Sequence, residues 1–349
     1  MLSRDSSEHR EQLDLLALRL DELLGAGRVI RDRPIGELTT YRVGGRASLF
    51  VEASSKEELG LLAEALGGAD VPLLVLGRGS NVLVTDCGFK GLVITLGPEF
   101  ASLVVTGEHV STGASLPMPQ LARRTAALGL SGVQWAVGIP GSVGGAVFMN
   151  AGCHGSQMSE WLTSACVVDL STGETVDVAT AELGYGYRHS ALRGSQVVIS
   201  AEFDLIPADR EGLAEEMATI VKWRRLHQPG GSNAGSVFQN PPGDSAGRLV
   251  EAAGLKGFRH GSASVSSKHA NFVQADDGGC ASDVQAVVEH VRSVVHERFG
   301  VLLELELRVM GVSDAICGCG SMGFEEAGEL CGHKAQVEAY GSGRSEGTR

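Results

Sequence analysis

Positive charge is scarce in this chain. Its 349 residues hold 29 lysines and arginines against 42 aspartates and glutamates, a net charge of −13. That balance argues against nucleic acid as the main partner, because phosphate backbones are bound by neutralising them with Lys and Arg. A local basic pocket for a phosphorylated small molecule stays compatible with it. No stretch approaches the ~20 apolar residues that a membrane span requires. The N-terminus, Met1 to Arg10, is charged and lacks the apolar core of a signal peptide, so a cytoplasmic protein without membrane contact is expected. The cysteines number 7, an odd and scattered set that gives no disulfide framework. Cys317, Cys319, Cys331 and His333 cluster near the C-terminus, but their spacing is not that of a familiar zinc site, and no metal is expected.

Glycine, by contrast, is abundant, at 48 residues. The densest run is Gly138-Ile-Pro-Gly-Ser-Val-Gly-Gly-Ala-Val-Phe-Met-Asn-Ala-Gly152. Glycine is costly to order, so clustering it implies sharp turns or close approach of the backbone to something. Two readings stand here: backbone amides cradling a pyrophosphate, or tight turns around a buried strand. A second loop, Gly77-Arg-Gly-Ser-Asn81, follows Val75-Leu76 and leads into Val82-Leu-Val84. The dinucleotide fingerprint of doubly wound folds needs a helix directly after its glycines. Here the following residues are β-branched and apolar, so the loop joins two strands and loop amides would hold any nucleotide.

Periodicity outlines the rest. Leu13, Leu16, Leu20 and Leu24 predict an amphipathic helix over 12–25. Ser55-x-x-Glu58 is a capping box opening a helix to Leu66. Another helix is expected from Pro119 to Leu128, closed by Gly129. Short strands are expected at 47–53, 72–76, 92–95, 103–106, 109–112, 163–170, 175–178 and 197–205. A long helix should run from about Ala208 to Arg225, and further helices should begin at Ser245 and at Ser282-x-x-Gln285, the last with a valine face ending at Gly300. Leu303, Leu305, Leu307 and Val309 alternate with Glu304, Glu306 and Arg308, predicting a final strand over 302–309 with the leucines inward. The whole is an α+β pattern. It divides into an N-terminal helix and lead-in (1–39), a strand-rich part (40–206), a C-terminal part (207–311) and a loosely ordered tail (312–349).

Three polar features remain: Tyr185-Gly-Tyr-Arg-His-Ser190, Asn233-Ala-Gly-Ser-Val-Phe-Gln-Asn-Pro241, and Glu306 on the open face of the last strand. Each alone has an ordinary explanation, as a surface arginine, a turn serine and a solvated glutamate. With both glycine loops, and with Tyr41-Arg-Val-Gly-Gly45, Ala253-Gly-Leu-Lys-Gly257, Lys268-His-Ala-Asn-Phe272 and Phe299-Gly-Val301, they occur in family order. Across Thr40 to Gly311 the chain resembles the UDP-N-acetylenolpyruvoylglucosamine reductase family, in the subclass lacking an extra tyrosine-bearing loop.

The resemblance implies an FAD-binding domain of the vanillyl-alcohol-oxidase (PCMH) type, made of two α+β subdomains, followed by a smaller α+β substrate-binding domain. It implies FAD and NADPH as cofactors and a UDP-sugar enolpyruvyl ether as the small-molecule substrate, reduced during peptidoglycan synthesis. Hydride would pass from flavin N5 to C3 and a proton from Ser236 to C2. Arg188 would bind the carboxylate and developing charge, and Glu306 would act with it. FAD would lie against Tyr41, Arg42, Gly77, Arg78, Gly79, Ser80, Asn81, Gly138, Ile139, Pro140, Gly141, Ser142, Gly144, Gly145, Asn150, Ala151 and Gly152. Asn240, Tyr187 and Lys268 would bind substrate. Gln134-Trp135, Cys153-His154 and Gln239 depart from the family's usual residues. Two rivals stand beside this reading: an oxidase on the same fold, and a UDP-sugar sensor without catalysis. Oligomeric state is open.

Overall fold

The structure is a computed structural model describing residues 2–311, with side chains from residue 7 onward. The expected tail and its Cys317–His333 cluster lie outside the described residues. Helix α1 (Leu2–Leu24) begins well before the leucine repeat that signals it. Its Leu13, Leu16, Ala17 and Leu20 are buried. Helix α2 (Lys56–Leu66) starts as expected at Ser55, whose hydroxyl accepts from the Glu58 amide at 3.2 Å. The Glu58 carboxylate accepts instead from the Ser54 amide and pairs with Arg28, so only half of the capping box forms.

Strands β1 (Ile30–Pro34), β2 (Arg46–Ala53), β3 (Leu73–Val75) and β5 (Phe89–Leu96) make one sheet in the order β1-β2-β5-β3, in which β2, β5 and β3 run parallel. Strand β4 (Val82–Val84) leaves this sheet. A second, antiparallel sheet holds β6 (Leu103–Thr106), β7 (His109–Gly113), β8 (Leu162–Asp169), β9 (Thr175–Ala179) and β10 (Gln196–Asp204), in the order β9-β8-β10-β7-β6. Leu49, Val51 and Ile94 of the first sheet meet Val168, Val197 and Ile199 of the second, together with α1 and α2, in one core. The other face of the second sheet is covered by α3 (Met118–Ala127), α4 (Val143–Phe148) and α5 (Arg210–His227), through Leu121, Val143 and Ile220. Helix α4 sits inside the glycine run, where only loop was expected.

The C-terminal part places α6 (Ala246–Ala252) and α7 (Ala281–Phe299) around a small antiparallel sheet of β11 (Arg259–His260), β12 (Ala263–Val265) and β13 (Val273–Ala275). Val284, Val287, Val288, Val291 and Val295 form the buried face of α7, and Gly300 ends it in the left-handed region at φ 69°. Its start is not the expected one. Cys280 is the N-cap and gives no side-chain bond. The Asp86 carboxylate, from the strand-rich part, accepts from the Ala281 and Ser282 amides at 2.8 and 2.9 Å.

The last strand also departs from expectation. Regular pairing is confined to β14 (Arg308–Met310), parallel to β4. Leu303 and Leu307 are buried as alternation requires, but Val309 is exposed. The Glu306 and Leu307 amides both turn to one carbonyl, that of Val237, so the segment lies against 237–239 before it crosses to β4. That irregularity breaks the period of two. Among the described residues, no helix is long and apolar enough to cross a membrane.

Because Asp86 supplies two first-turn partners that α7 lacks locally, Asp86→Ala should lower stability by about 0.5–2 kcal/mol. Thermal unfolding checks this, and an unchanged midpoint refutes the assignment.

Candidate active site

The loop between β3 and β4 is held by two of its carbonyls. Thr40 donates from its amide to the Gly79 carbonyl at 3.1 Å, and Arg308 does so to that of Asn81 at 3.1 Å. None of the backbone N–H groups from Gly77 to Asn81 has an acceptor among the described residues. Unpaired amides gathered in one turn form an anion site. The walls leave no room for side chains. A Cβ on Gly77 would lie 2.8 Å from the Ser142 hydroxyl oxygen, and one on Gly79, at φ +59°, 2.6 Å from the Thr39 Cα. The opposing wall is the glycine run, joined to this loop by the Arg78 Nε, which donates to the Pro140 carbonyl at 3.0 Å. Gly141 and Ser142 are buried in that wall, while Pro140 and Gly145 are exposed.

The far end of the run leads to the ionisable pair. Asn150, buried and at φ 44°, donates to the Gly186 carbonyl at 2.9 Å and accepts from the Ser159 amide at 3.0 Å. Its carboxamide is thus committed to the fold rather than left free for a ligand. Through Gly186 it anchors the turn that carries Arg188, itself at φ 53°. Arg188 donates from Nε to Glu306 Oε1 at 2.7 Å and from Nη2 to the Gly152 carbonyl at 2.7 Å. Its guanidinium lies over the exposed Tyr187 ring, 5.3 Å from the centroid. The Glu306 backbone is fixed on both sides: its amide donates to the Val237 carbonyl at 2.8 Å, and its carbonyl accepts from Asn81 Nδ2 at 3.0 Å.

Ser236 adjoins that Val237. Its turn is made by Asn233, whose side chain accepts from the Gly235 amide at 3.0 Å. The buried Asn271 then clamps the next residues: it accepts from the Phe238 amide at 2.9 Å and donates to the Phe238 carbonyl at 2.8 Å. The Ser236 hydroxyl has no hydrogen-bond partner among the described residues. Arg188, Glu306, Val237 and Asn81 are thus joined by hydrogen bonds, and Ser236 is the residue before Val237.

Burial raises the Glu306 pKa above the ordinary carboxylate value, and the charge and hydrogen bond of Arg188 oppose that shift. Burial also pushes the Cys153 thiol up to about 11, although Arg224 and Arg188 pull it down. Cys153 donates to the Trp135 carbonyl at 3.2 Å, and the His154 ring turns to Trp223. The adjacent pair is loop packing, as its adjacency implies, and not a nucleophile with its base.

Other expected ligands have mixed placements. The Tyr41 ring is fully buried in the C-terminal core, its hydroxyl without a partner among the described residues, while Arg42 is exposed at φ 57°. The Asn240 oxygen accepts from the Ala246 amide at 3.0 Å, supporting the start of α6. Lys268 donates to the Arg225 carbonyl and so ties the segment between β12 and β13 to the end of α5. A cleft of 520 Å3 that no motif signalled opens beside Gly77 and Arg78. Arg33 and Thr95 line it, and their Nε and Oγ1 atoms are buried without partners among the described residues. Its walls come from separate strands, so no local pattern marks it.

Comparison with known proteins agrees with this geometry. Residues 227–310 match the profile of the UDP-N-acetylenolpyruvoylglucosamine reductase C-terminal domain, and residues 47–179 match that of an FAD binding domain. UDP-N-acetylenolpyruvoylglucosamine reductase 2 of Symbiobacterium thermophilum is 42% identical over 287 residues, covering 82% of this chain and 93% of that protein. The corresponding reductase of Bacillus subtilis is 38% identical over 288 residues, covering 82% and 95%. The crystal structure of the enzyme from Thermus caldophilus aligns with a TM-score of 0.72 at 37% identity, covering 81% of this chain and 99% of that one. The unpaired amides of 77–81 and the glycine walls fit the pyrophosphate of an FAD, which lies within the chemistry such a site can hold.

Two outcomes follow from these contacts. Gly79→Ala must move either the loop or Thr39, so the purified variant should carry less flavin per protein, read from its visible absorbance. Glu306, with its folded pKa raised, keeps a proton that the unfolded chain releases. Stability therefore falls as pH rises from the unfolded pKa to the folded one. Glu306→Gln lacks that titration, so its unfolding midpoint should gain on the parent's as the pH rises above the ordinary glutamate pKa of about 4.3. A pH-independent difference refutes it.

Proposed function

The chain belongs to the UDP-N-acetylenolpyruvoylglucosamine reductase family, and from that premise we propose that it is the NADPH-dependent enzyme reducing UDP-N-acetylglucosamine-enolpyruvate to UDP-N-acetylmuramate, a cytoplasmic step of peptidoglycan synthesis. The observation that carries this is the Arg188–Glu306 pair at 2.7 Å, seated on the same Asn81 that closes the glycine loop. In this reading residues 40–206 hold the cofactor and 207–311 the substrate. When bound, FAD supplies hydride transfer between the nicotinamide and the enolpyruvyl group.

The residues supply charge and a proton. Reduction at C3 leaves negative charge at C2, conjugated with the substrate carboxylate. Such charge in a dry site needs donors already in place. Two of the Arg188 N–H groups are committed to Glu306 and Gly152. The remaining ones face a carboxylate with the planar fork suited to it. Glu306 already has a raised pKa from burial. A substrate carboxylate beside it raises it further and favours the protonated, donating form. Ser236 delivers the proton to C2. A serine hydroxyl is a poor acid and serves only because the enolate is a strong base held at about 3 Å. The absence of a hydrogen-bond partner for its hydroxyl among the described residues supports that role.

An oxidase would leave the free Ser236 and the buried pair without work. A sensor would not turn over. The test is a visible spectrum under anaerobic NADPH, followed by substrate. The flavin absorbance should bleach and then return. Ser236→Ala should bleach normally and return about 10²- to 10⁴-fold more slowly. Equal loss in both half-reactions sinks the serine assignment, and a return with oxygen alone favours the oxidase.

A further inference from the structure

The cleft beside Gly77 and Arg78 has no part in the reaction above. It meets the cofactor loop at those two residues only. No residue of 138–152 lines it, and neither do Arg188, Ser236 or Glu306. Its other walls come from β1, β2, β5 and the turn ending at Leu38. A volume of 520 Å3 is that of a small-molecule site.

Strand β1 departs from regular geometry where it borders the cleft. Ile30 and Arg33 both line it. In a regular strand, residues three apart point to opposite faces. Asp32, between them, is in the left-handed region at φ 51°, and this breaks the alternation. Its carbonyl accepts from Arg46 Nη1 at 2.6 Å, which holds the distortion in place. A non-glycine residue keeps such a conformation only where its surroundings enforce it.

The arginine so placed is half-buried and makes no hydrogen bond or ion pair among the described residues. Its guanidinium carbon lies 6.0 Å from the centroid of the buried Phe50 ring. A cation drawn out of water without an acceptor is unfavourable. The Thr95 hydroxyl, in the same cleft, is buried and likewise unpartnered among the described residues. Arg78 commits Nε to the Pro140 carbonyl but enters no ion pair among the described residues. The one carboxylate lining the cleft, Glu52, already acts on Arg28, whose pKa it helps to raise. Donors and positive charge therefore meet an apolar surface of Leu38 and Phe50, with no acceptor to match them.

We propose that this cleft binds a small carboxylate with a flat apolar body, the charge held by Arg33, Thr95 and Arg78 and the body lying against Phe50 and Leu38. A carboxylate matches the planar fork of a guanidinium. The site is separate from those of the cofactor and of the substrate in the reading above.

The experiment titrates the FAD-loaded full chain by calorimetry with 2-naphthoate, with its neutral amide and with acetate, and compares the parent with Arg33→Met and Thr95→Val. The naphthoate should bind the parent, and the amide and acetate should each bind more weakly. Arg33→Met should weaken the naphthoate by about 10- to 150-fold, the range for one hydrogen bond to a charged group. Thr95→Val, which keeps the side-chain shape, should weaken it by about 2- to 10-fold and carries the test if the arginine variant does not fold. Both variants should hold as much flavin as the parent. No binding by the loaded parent overturns the proposal. So does binding that neither variant weakens, which puts the naphthoate elsewhere, or equal binding of the amide or of acetate. Binding seen only after the flavin is removed, or flavin lost from Arg33→Met, gives the cleft to the cofactor and overturns it as well.

Discussion

A three-residue parallel pairing between Val82–Val84 and Arg308–Met310 holds the site together. Alone so short a ladder would be marginal. It persists because Leu83, Val84 and Leu307 are buried around it and because hydrogen bonds extend it at both ends. The Thr85 amide reaches the Met310 carbonyl at 2.9 Å, the Arg308 amide reaches Asn81, and the Asn81 side chain reaches Glu306. The strand leaving the glycine loop is thus the one that pairs with the segment just after Glu306. The loop and Glu306 cannot shift independently. The Asp86 carboxylate adds a second tie two residues beyond β4, at the first turn of α7.

Such coupling sets the electrostatics. Glu306 and Arg188 retain side-chain exposures of 16% and 23%. A pair that dry gains Coulomb energy but loses hydration, and it stabilises only when its other hydrogen-bonding capacity is used. Here the arginine also meets the Gly152 carbonyl, and the glutamate pKa stays raised. Desolvation therefore outweighs the partner for the carboxylate. In the structure burial alone begins the shift, and a ligand charge would add to it.

Much of the fold was legible because its signals are local. The helix after Ser55, the glycine ends at Gly129 and Gly300, the valine face of α7 and most strands follow from neighbouring residues. What sequence reading missed is non-local. The cap of α7 comes from a residue 195 positions away, and the Arg188–Glu306 contact spans 118. The last strand followed its alternation to Leu307 and failed at Val309, where the chain changes partners from residue 237 to β4. In the site, Arg188, Ser236 and Glu306 were visible through their motifs. Asn271 was visible only as part of one, since nothing local shows that its side chain clamps Phe238. The rings of Trp223 and His154 belong to distant segments that only α5 packing brings together.

Backbone strain gives the same site an independent signature. Among the described residues, the non-glycines with positive φ are Asp32, Arg42, Asn150, His154 and Arg188. Three of these, Arg42, Asn150 and Arg188, lie in segments argued above to meet cofactor or substrate. Each such conformation costs on the order of 1–3 kcal/mol, and glycine would relieve it. The side chains explain why glycine is absent at two of them. Asn150 uses its carboxamide to hold Gly186, and Gly186 begins the turn that aims Arg188. A glycine at 150 would relax the backbone but release that turn, and a glycine at 188 would remove the guanidinium. Strain at Asn150 is thus the cost of orienting strain at Arg188. The β4–β14 pairing can hold both because its own residues sit in ordinary conformations.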